Sequence, residues 1–314
     1  MTGYLIRRVL QAVIVVVLVC VVTFLLLHML PGGPARAILG PRATPLQIQV
    51  FNHQNGYDQP LYEQFWRWFT GVLHGDLGYS YNLNENVGAL IAQRLPKTIT
   101  LMALSTAVAL IVAVPLGIYQ AMRRNTFGDY TFTGLSFVFY AAPSFFLGLI
   151  LVQVFAIDLH WLPPEAPQGD SLGTILTNGA GLVLPIATLA LITIASFSRY
   201  MRSSVLDNLS QDYVRTARAG GAGQARIIVV HILRNALIPL AALLGLSLPQ
   251  LFGGALITES VFNYPGMGLL FWRQATVRDF PVLLGVTLVV AVATVLGSLL
   301  ADITYAALDP RVKY

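Results

Sequence analysis

Lysine is nearly missing from this chain: of 19 basic residues, only Lys97 and Lys313 are lysines. Charge of either sign is sparse, at 11% of residues against 56% hydrophobic, where a soluble domain carries roughly 25% charged and about 45–50% apolar residues. No soluble basic face is left to bind a nucleic acid, so the net charge of +5 is read as arginine at membrane borders. The single cysteine, Cys20, lies inside an apolar run, which excludes a disulfide framework and a Cys/His metal cluster. A phosphate-cradling loop is absent too. The one Lys-Thr pair, Lys97-Thr98, follows Pro96 where Gly-x-x-x-x-Gly-Lys-Ser/Thr requires glycine. There is no His-Glu-x-x-His pair. The residues therefore offer no ATP site of this kind, no metal site and no catalytic group.

What is present is apolar length. About 20 apolar residues at about 1.5 Å each cross the hydrocarbon core. Six segments meet that test, roughly 9–30, 99–122, 134–157, 181–200, 236–258 and 282–307. The first follows Arg7 and Arg8 like a signal peptide, but it is too long and ends in Leu-Leu-Leu-His-Met-Leu-Pro, so it is read as a retained span. The expected fold is an all-α membrane protein of six spans with both termini on one side. Arg7/Arg8, Arg123/Arg124, the arginines of 199–239 and Arg311/Lys313 cluster on that side, and loop 158–180 opposite has no Lys or Arg. The positive-inside rule makes it cytoplasmic. The layout is then a tail and first helix over 1–30, an external loop over 31–98, a core over 99–308 and a tail over 309–314.

Within the external loop, Pro60 can start a helix on which Leu61, Phe65, Trp68/Phe69 and Val72 share a face. Such a helix either lies on the outer membrane surface or caps the bundle. Leu159 to Pro164 reads as an interfacial turn, with no ligand role for His160. Several spans carry Pro or Gly, among them Pro143/Gly148 and Pro249/Gly253/Gly254, which suits bends and close contacts. Ionisable groups at membrane depth are functional candidates by default, and here they are Glu259, Asp302 and His28, all near an interface. Glu259, with Ser144, Gln153, Ser247 and Gln250, could gate or line a solute path; hydrogen bonding between helices serves equally well as an explanation.

The longest polar interruption runs from Arg199 to Pro239, with six arginines against Asp207 and Asp212. Ser210 can cap a short helix with Asp212 in its first turn. Tyr213, Val214 and Ala217 then share one face and Arg215 and Arg218 another, and Gly220 or Gly221 supplies a left-handed stop. A second helical pattern, 224–234, leads into the fifth span. Docking into a cleft of a protein partner and binding of anionic lipid fit these residues alike.

Asp212-Tyr213-Val214-Arg215-Thr216-Ala217-Arg218-Ala219-Gly220-Gly221, followed by His231-Ile232-Leu233-Arg234-Asn235-Ala236-Leu237-Ile238-Pro239, resembles the coupling motif of ABC-importer permeases of the dipeptide/oligopeptide/nickel group. The likeness extends to Pro31-Gly32-Gly33-Pro34, Gly75-Asp76-Leu77-Gly78-Tyr79-Ser80, Glu259 to Gly268, Arg278-Asp279-Phe280-Pro281 and Asp302 to Arg311. Gly33 and Gly220 depart from it, standing where an acid and a lysine are usual. The resemblance implies the type I ABC importer transmembrane fold in a bacterial inner membrane. It implies a homologous second permease subunit, two ATPase subunits that hold ATP and Mg, an external solute-binding protein, and no cofactor on this chain. It assigns ATPase coupling to Asp212, Tyr213, Arg215, Thr216, Ala217, Arg218, Gly220 and Gly221. Peptides are the expected solute, with nickel complexes or glutathione-like compounds as alternatives and an ion-coupled carrier as a more distant one.

Overall fold

The computed structural model describes residues 2–29, 33–40, 42–169 and 171–308. In chain order the elements are α1 (Thr2–His28), α2 (Gly33–Leu39), α3 (Pro45–Asn55), α4 (Leu61–Leu73), the strands β1 (Tyr79–Ser80) and β2 (Glu85–Asn86), and α5 (Val87–Met122). Then come α6 (Phe127–Ala141), α7 (Ser144–Leu151) with a π-helical continuation to Asp158, α8 (Leu172–Thr177), and α9 (Val183–Leu209) after a 3-10 turn. The chain closes with α10 (Asp212–Ala219), α11 (Gln224–Arg226), a π-helical segment Ile227–Ile232, α12 (Leu233–Val261), α13 (Met267–Val277) and α14 (Phe280–Leu308). Among the described residues, five helices are long and apolar enough to span a membrane, and α6 with α7 makes a sixth span if the bent pair crosses once.

Two spans differ from their sequence expectation. The third, expected as continuous over 134–157, is bent by 110° between α6 and α7. Pro143 has no N–H to continue α6 and holds Ala142 extended at φ −71°, ψ 130°. The second begins at Val87 rather than 99. Arg94 and Lys97 hide that stretch from a hydropathy test. In the fold their charges are met by carbonyls, Arg94 Nη1 donating to Pro265 O at 3.3 Å and Lys97 Nζ to Gly169 O at 2.8 Å.

The chain divides into two compact units. One comprises Met1–Thr98, Gly169–Leu172 and Pro265–Leu296. Its core joins Val87, Leu90 and Ile91 of α5 to Met267 and Leu270 of α13 and Val282 and Val286 of α14. Gly285 permits this approach, because a Cβ there would lie 2.6 Å from Val87 Cγ1. The two-residue hairpin β1–β2 is latched to the start of α14 by Ser80 Oγ, which donates to Asp279 Oδ2 at 2.5 Å in a buried site. Helix α4 follows Pro60, as its spacing predicts, and lays Phe65 and Trp68 against Phe24 of α1, leaving Trp66 63% exposed. Helix α3 starts on a full capping box, Thr44 with Gln47, and stops at Gly56 with φ +68°.

The other unit comprises Ile99–Gln168, Gly173–Tyr264 and Gly297–Tyr314. Helices α5 and α9 meet closely at Gly117, where a Cβ would fall 2.6 Å from Met201 Cβ and 2.7 Å from Ser198 O. Helices α6 and α9 are joined by an ion pair whose carboxylate is buried and whose guanidinium is partly exposed. Arg202 donates through Nε and Nη2 to the two carboxylate oxygens of Asp129 at 2.8 and 2.7 Å. One apolar cluster gathers Met201 and Val205 of α9, Val214 of α10, and Ile227, Ile232, Ala236 and Leu240 beyond it. A second surrounds Leu101, Leu184, Leu189, Phe262 and Tyr264.

Candidate functional site

Helix α10 arises where α9 runs out. At the end of α9, Ser210 Oγ donates to Asp207 O at 2.8 Å and the Gln211 N–H to Asn208 O at 3.1 Å, closing a tight turn. Gln211 is then extended (φ −75°, ψ 150°) and is the N-cap, its carbonyl accepting from the N–H groups of Val214 and Arg215. Ser210 is therefore not the cap; its hydroxyl is committed to the preceding helix. Asp212 sits in the first turn, where a carboxylate is favoured by the helix dipole.

The two faces are sharply different. Val214 is 1% exposed in the cluster shared with α9 and α12, and Ala217, one turn on, packs against the same residues. Burying a valine contributes about 1.5–3 kcal/mol, enough to fix a helix of two turns that could not persist alone. Tyr213 ties the same end back to α9, its hydroxyl donating to Asn208 Oδ1 at 2.5 Å. On the other face Asp212, Arg215 and Arg218 are exposed. Arg215 Nη1 lies 3.3 Å from Asp212 Oδ1, with both side chains well exposed (74% and 94%), a pairing worth only a few tenths of a kcal/mol. Thr216 Oγ1 donates to Asp212 O at 3.0 Å inside the helix.

The stop is a Schellman motif. The Ala222 N–H reaches Ala217 O at 3.1 Å and the Gly221 N–H reaches Arg218 O at 3.0 Å. Gly221 takes the left-handed position at φ +80°, while Gly220 remains at φ −76°. Of the two glycines offered by the sequence, Gly221 is the one whose backbone requires it. From Gln224 the chain re-enters α11 and the π-helical segment, and so leads into α12.

The candidate gate residues lie on separate elements. Ser144 is half-buried at the start of α7, directly after the Pro143 bend. Gln153 is exposed and donates through Nε2 to Asp158 Oδ1 at 2.8 Å. Glu259 is completely buried, and its carbonyl accepts the Tyr264 N–H at 2.8 Å. Burial, and then the Glu259 carboxylate, push the Tyr264 phenol above its usual range. The side chains of Gln250, Ser247 and Asp302 lie outside the described residues. Among the described residues no group of His, Cys, Asp and Glu is arranged to hold a metal ion. Sequence reasoning missed the Asp129–Arg202 pair. Its one signal was an acid just after Arg123/Arg124 in a chain so poor in acids.

Residues 113–314 match the family model described as the binding-protein-dependent transport system inner membrane component, and residues 1–102 match the model of its N-terminal part. The chain belongs to this family of ABC-importer permeases. The permease is 37% identical to the oligopeptide transport system permease protein AppB of Bacillus subtilis, over the whole of both chains. It is also 37% identical to the glutathione transport system permease protein GsiC of Escherichia coli O6:H1, again over the whole of both. A solved chain of the MetNI methionine ABC transporter, in an inward-facing form, superposes with a TM-score of 0.55 at 17% identity. It covers 70% of this permease and 96% of that chain. The fold is thus that of a type I ABC importer's transmembrane subunit, and the permease is a multi-pass inner-membrane component.

Proposed function

We propose that this permease imports short peptides and that α10 is the surface on which an ATPase subunit docks. The observation that carries the reading is the division of α10 into an anchored face and an exposed one. Val214 and Ala217 hold the helix to α9 and α12, so a push on the helix is passed to those two spans, while Arg215 and Arg218 are exposed to a partner's surface. In this reading the chain forms half of a translocation pore with a homologous permease, receives solute from an external binding protein, and hydrolyses nothing itself. ATP and Mg sit on the two ATPase partners. Their closure shifts the segment 212–221 and rocks the spans between inward- and outward-open states. Both termini and α10 are cytoplasmic, residues 31–98 are external, and 99–308 form the transporting core. Ser144, Gln153, Gln250 and Glu259 are the proposed gate or pore residues.

Peptide import is favoured by the match to the AppB protein. The equal identity to the GsiC protein favours glutathione, itself a modified tripeptide, as the second reading. The test is to co-express the assembled importer with Arg215→Glu/Arg218→Glu in this chain. Charge reversal is expected to reduce ATPase co-purification severalfold, and an unchanged yield overturns the docking role. Uptake that continues without the ATPases and collapses with the ion gradient would overturn the importer reading as a whole.

A further inference from the structure

The first compact unit holds a cavity of about 370 Å³ that the coupling segment does not use. It lies among the outer end of α1, the loop before α4, α4 itself, the hairpin and the start of α14. Its size falls in the range of small-molecule sites, and its walls are aromatic, with Phe24, Tyr57, Trp68 and Phe280 among them.

Tyr79 and Tyr81 donate their hydroxyls to Asn84 and Asn55; five of the other polar groups on those walls fall into two complementary sets. Arg67 contributes a guanidinium, and the site is built to admit it: a Cβ on Gly56 would lie 1.9 Å from Arg67 Nη1. Trp68 adds an indole N–H with no partner, and this group can only donate. These are donors for an anion. The acceptors are Asp76, Gln64 and His28. Asp76 is exposed and takes the Gly78 N–H on Oδ1 at 2.9 Å. Gln64 donates both hydrogens of Nε2, to Tyr57 O at 3.1 Å and Gln59 O at 2.7 Å, which leaves Oε1 without a partner. His28 donates from Nδ1 to Phe24 O at 2.8 Å, which leaves Nε2 without a partner and, in a neutral ring, able to accept. Three acceptors match the three N–H donors of an ammonium. Buried polar groups are nearly always paired, so three orphans around one cavity call for an occupant.

We propose that this cavity binds a short zwitterionic peptide, its carboxylate on Arg67 and Trp68, its ammonium on Asp76, Gln64 and His28, and its side chain against the aromatic wall. The three orphaned atoms do not reach solvent in the present packing, so entry turns their side chains inward, the usual scale of change on binding. The ligand chemistry follows from the cavity. Its role, a waiting station for solute on the outer side, rests on the peptide-import reading.

The test uses the complete importer in nanodiscs without nucleotide or binding protein, titrated with labelled alanyl-phenylalanine. Saturable binding is expected. Arg67→Glu, Gly56→Ala, or blocking the dipeptide as its N-acetyl amide should each weaken it at least about 10-fold, the scale of one charge-assisted contact. No binding, or binding indifferent to all three changes, overturns the proposal. Binding seen only when phosphatidylethanolamine is left out of the discs assigns the cavity to a lipid headgroup and overturns it as well. Should Arg67→Glu fail to assemble, Arg67→Gln and the blocked dipeptide on the unaltered importer decide the same question. Dipeptide uptake without cavity binding sinks only this inference; cavity binding without uptake of any peptide sinks the peptide-import reading instead.

Discussion

Three glycines stand within four residues of one another after α10, and the fold makes different demands of each. Gly221 is at φ +80° with nothing within 4 Å of where a Cβ would sit. A side chain there would meet open space, so its cost is purely conformational. An L-residue in the left-handed region costs about 1–2 kcal/mol, and a β-branched one more, while Asn is the best tolerated. Gly220 is at φ −76° with its nearest neighbours 3.5 Å away, and Gly223 is at φ −66° with none within 4 Å. Alanine should therefore be nearly neutral at both. At Gly221 the order of damage should be Asn, then Ala, then Val, with Val costing about 2 kcal/mol or more. That shifts a two-state joint more than tenfold. The strain falls on the Schellman hydrogen bonds that set the direction from α10 into the π-helical segment, so coupling rather than insertion should suffer. Solute uptake and ATP hydrolysis measured together in proteoliposomes give the ratio of the two. Gly221→Val should hydrolyse ATP with little uptake at normal membrane levels. Normal uptake by Gly221→Val, or equal damage from Gly220→Ala, would refute this account of the joint.

Two further predictions concern how α10 is held and how α6 is clamped to α9. Val214→Ala removes two buried methyl groups, about 1.5 kcal/mol. It should lower the stimulation of ATPase activity by the loaded binding protein while the ATPases still co-purify; loss of co-purification would mean that Val214 is part of the docking face. Arg202→Gln leaves the Asp129 carboxyl, 2% exposed, without its cation. Leaving a buried carboxylate without its partner costs about 3 kcal/mol, so thermal unfolding of the solubilised importer should occur at a lower temperature. Asp129→Asn/Arg202→Gln together should recover part of the loss, and an unshifted single variant would argue that water already satisfies Asp129.

Much of this permease is legible from residue order because a bilayer imposes a one-dimensional rule. A span must be apolar for its whole length, so five spans and the bent pair appear as runs, and the short polar helix appears as the break between two of them. The capping and stop chemistry of α10 is local as well: an acid at Asp212, apolar residues at Val214 and Ala217 and glycine at its end define a helix from Asp212 to Ala219. What tertiary structure decided is everything that depends on a partner distant in sequence. The start of α5 at Val87 needed carbonyls at Pro265 and Gly169 to receive Arg94 and Lys97. The burial of Glu259, the Asp129–Arg202 clamp, and the choice of Val214 as the anchor all follow from which helices meet. Periodicity assigns a residue to a face, but only packing says what that face touches.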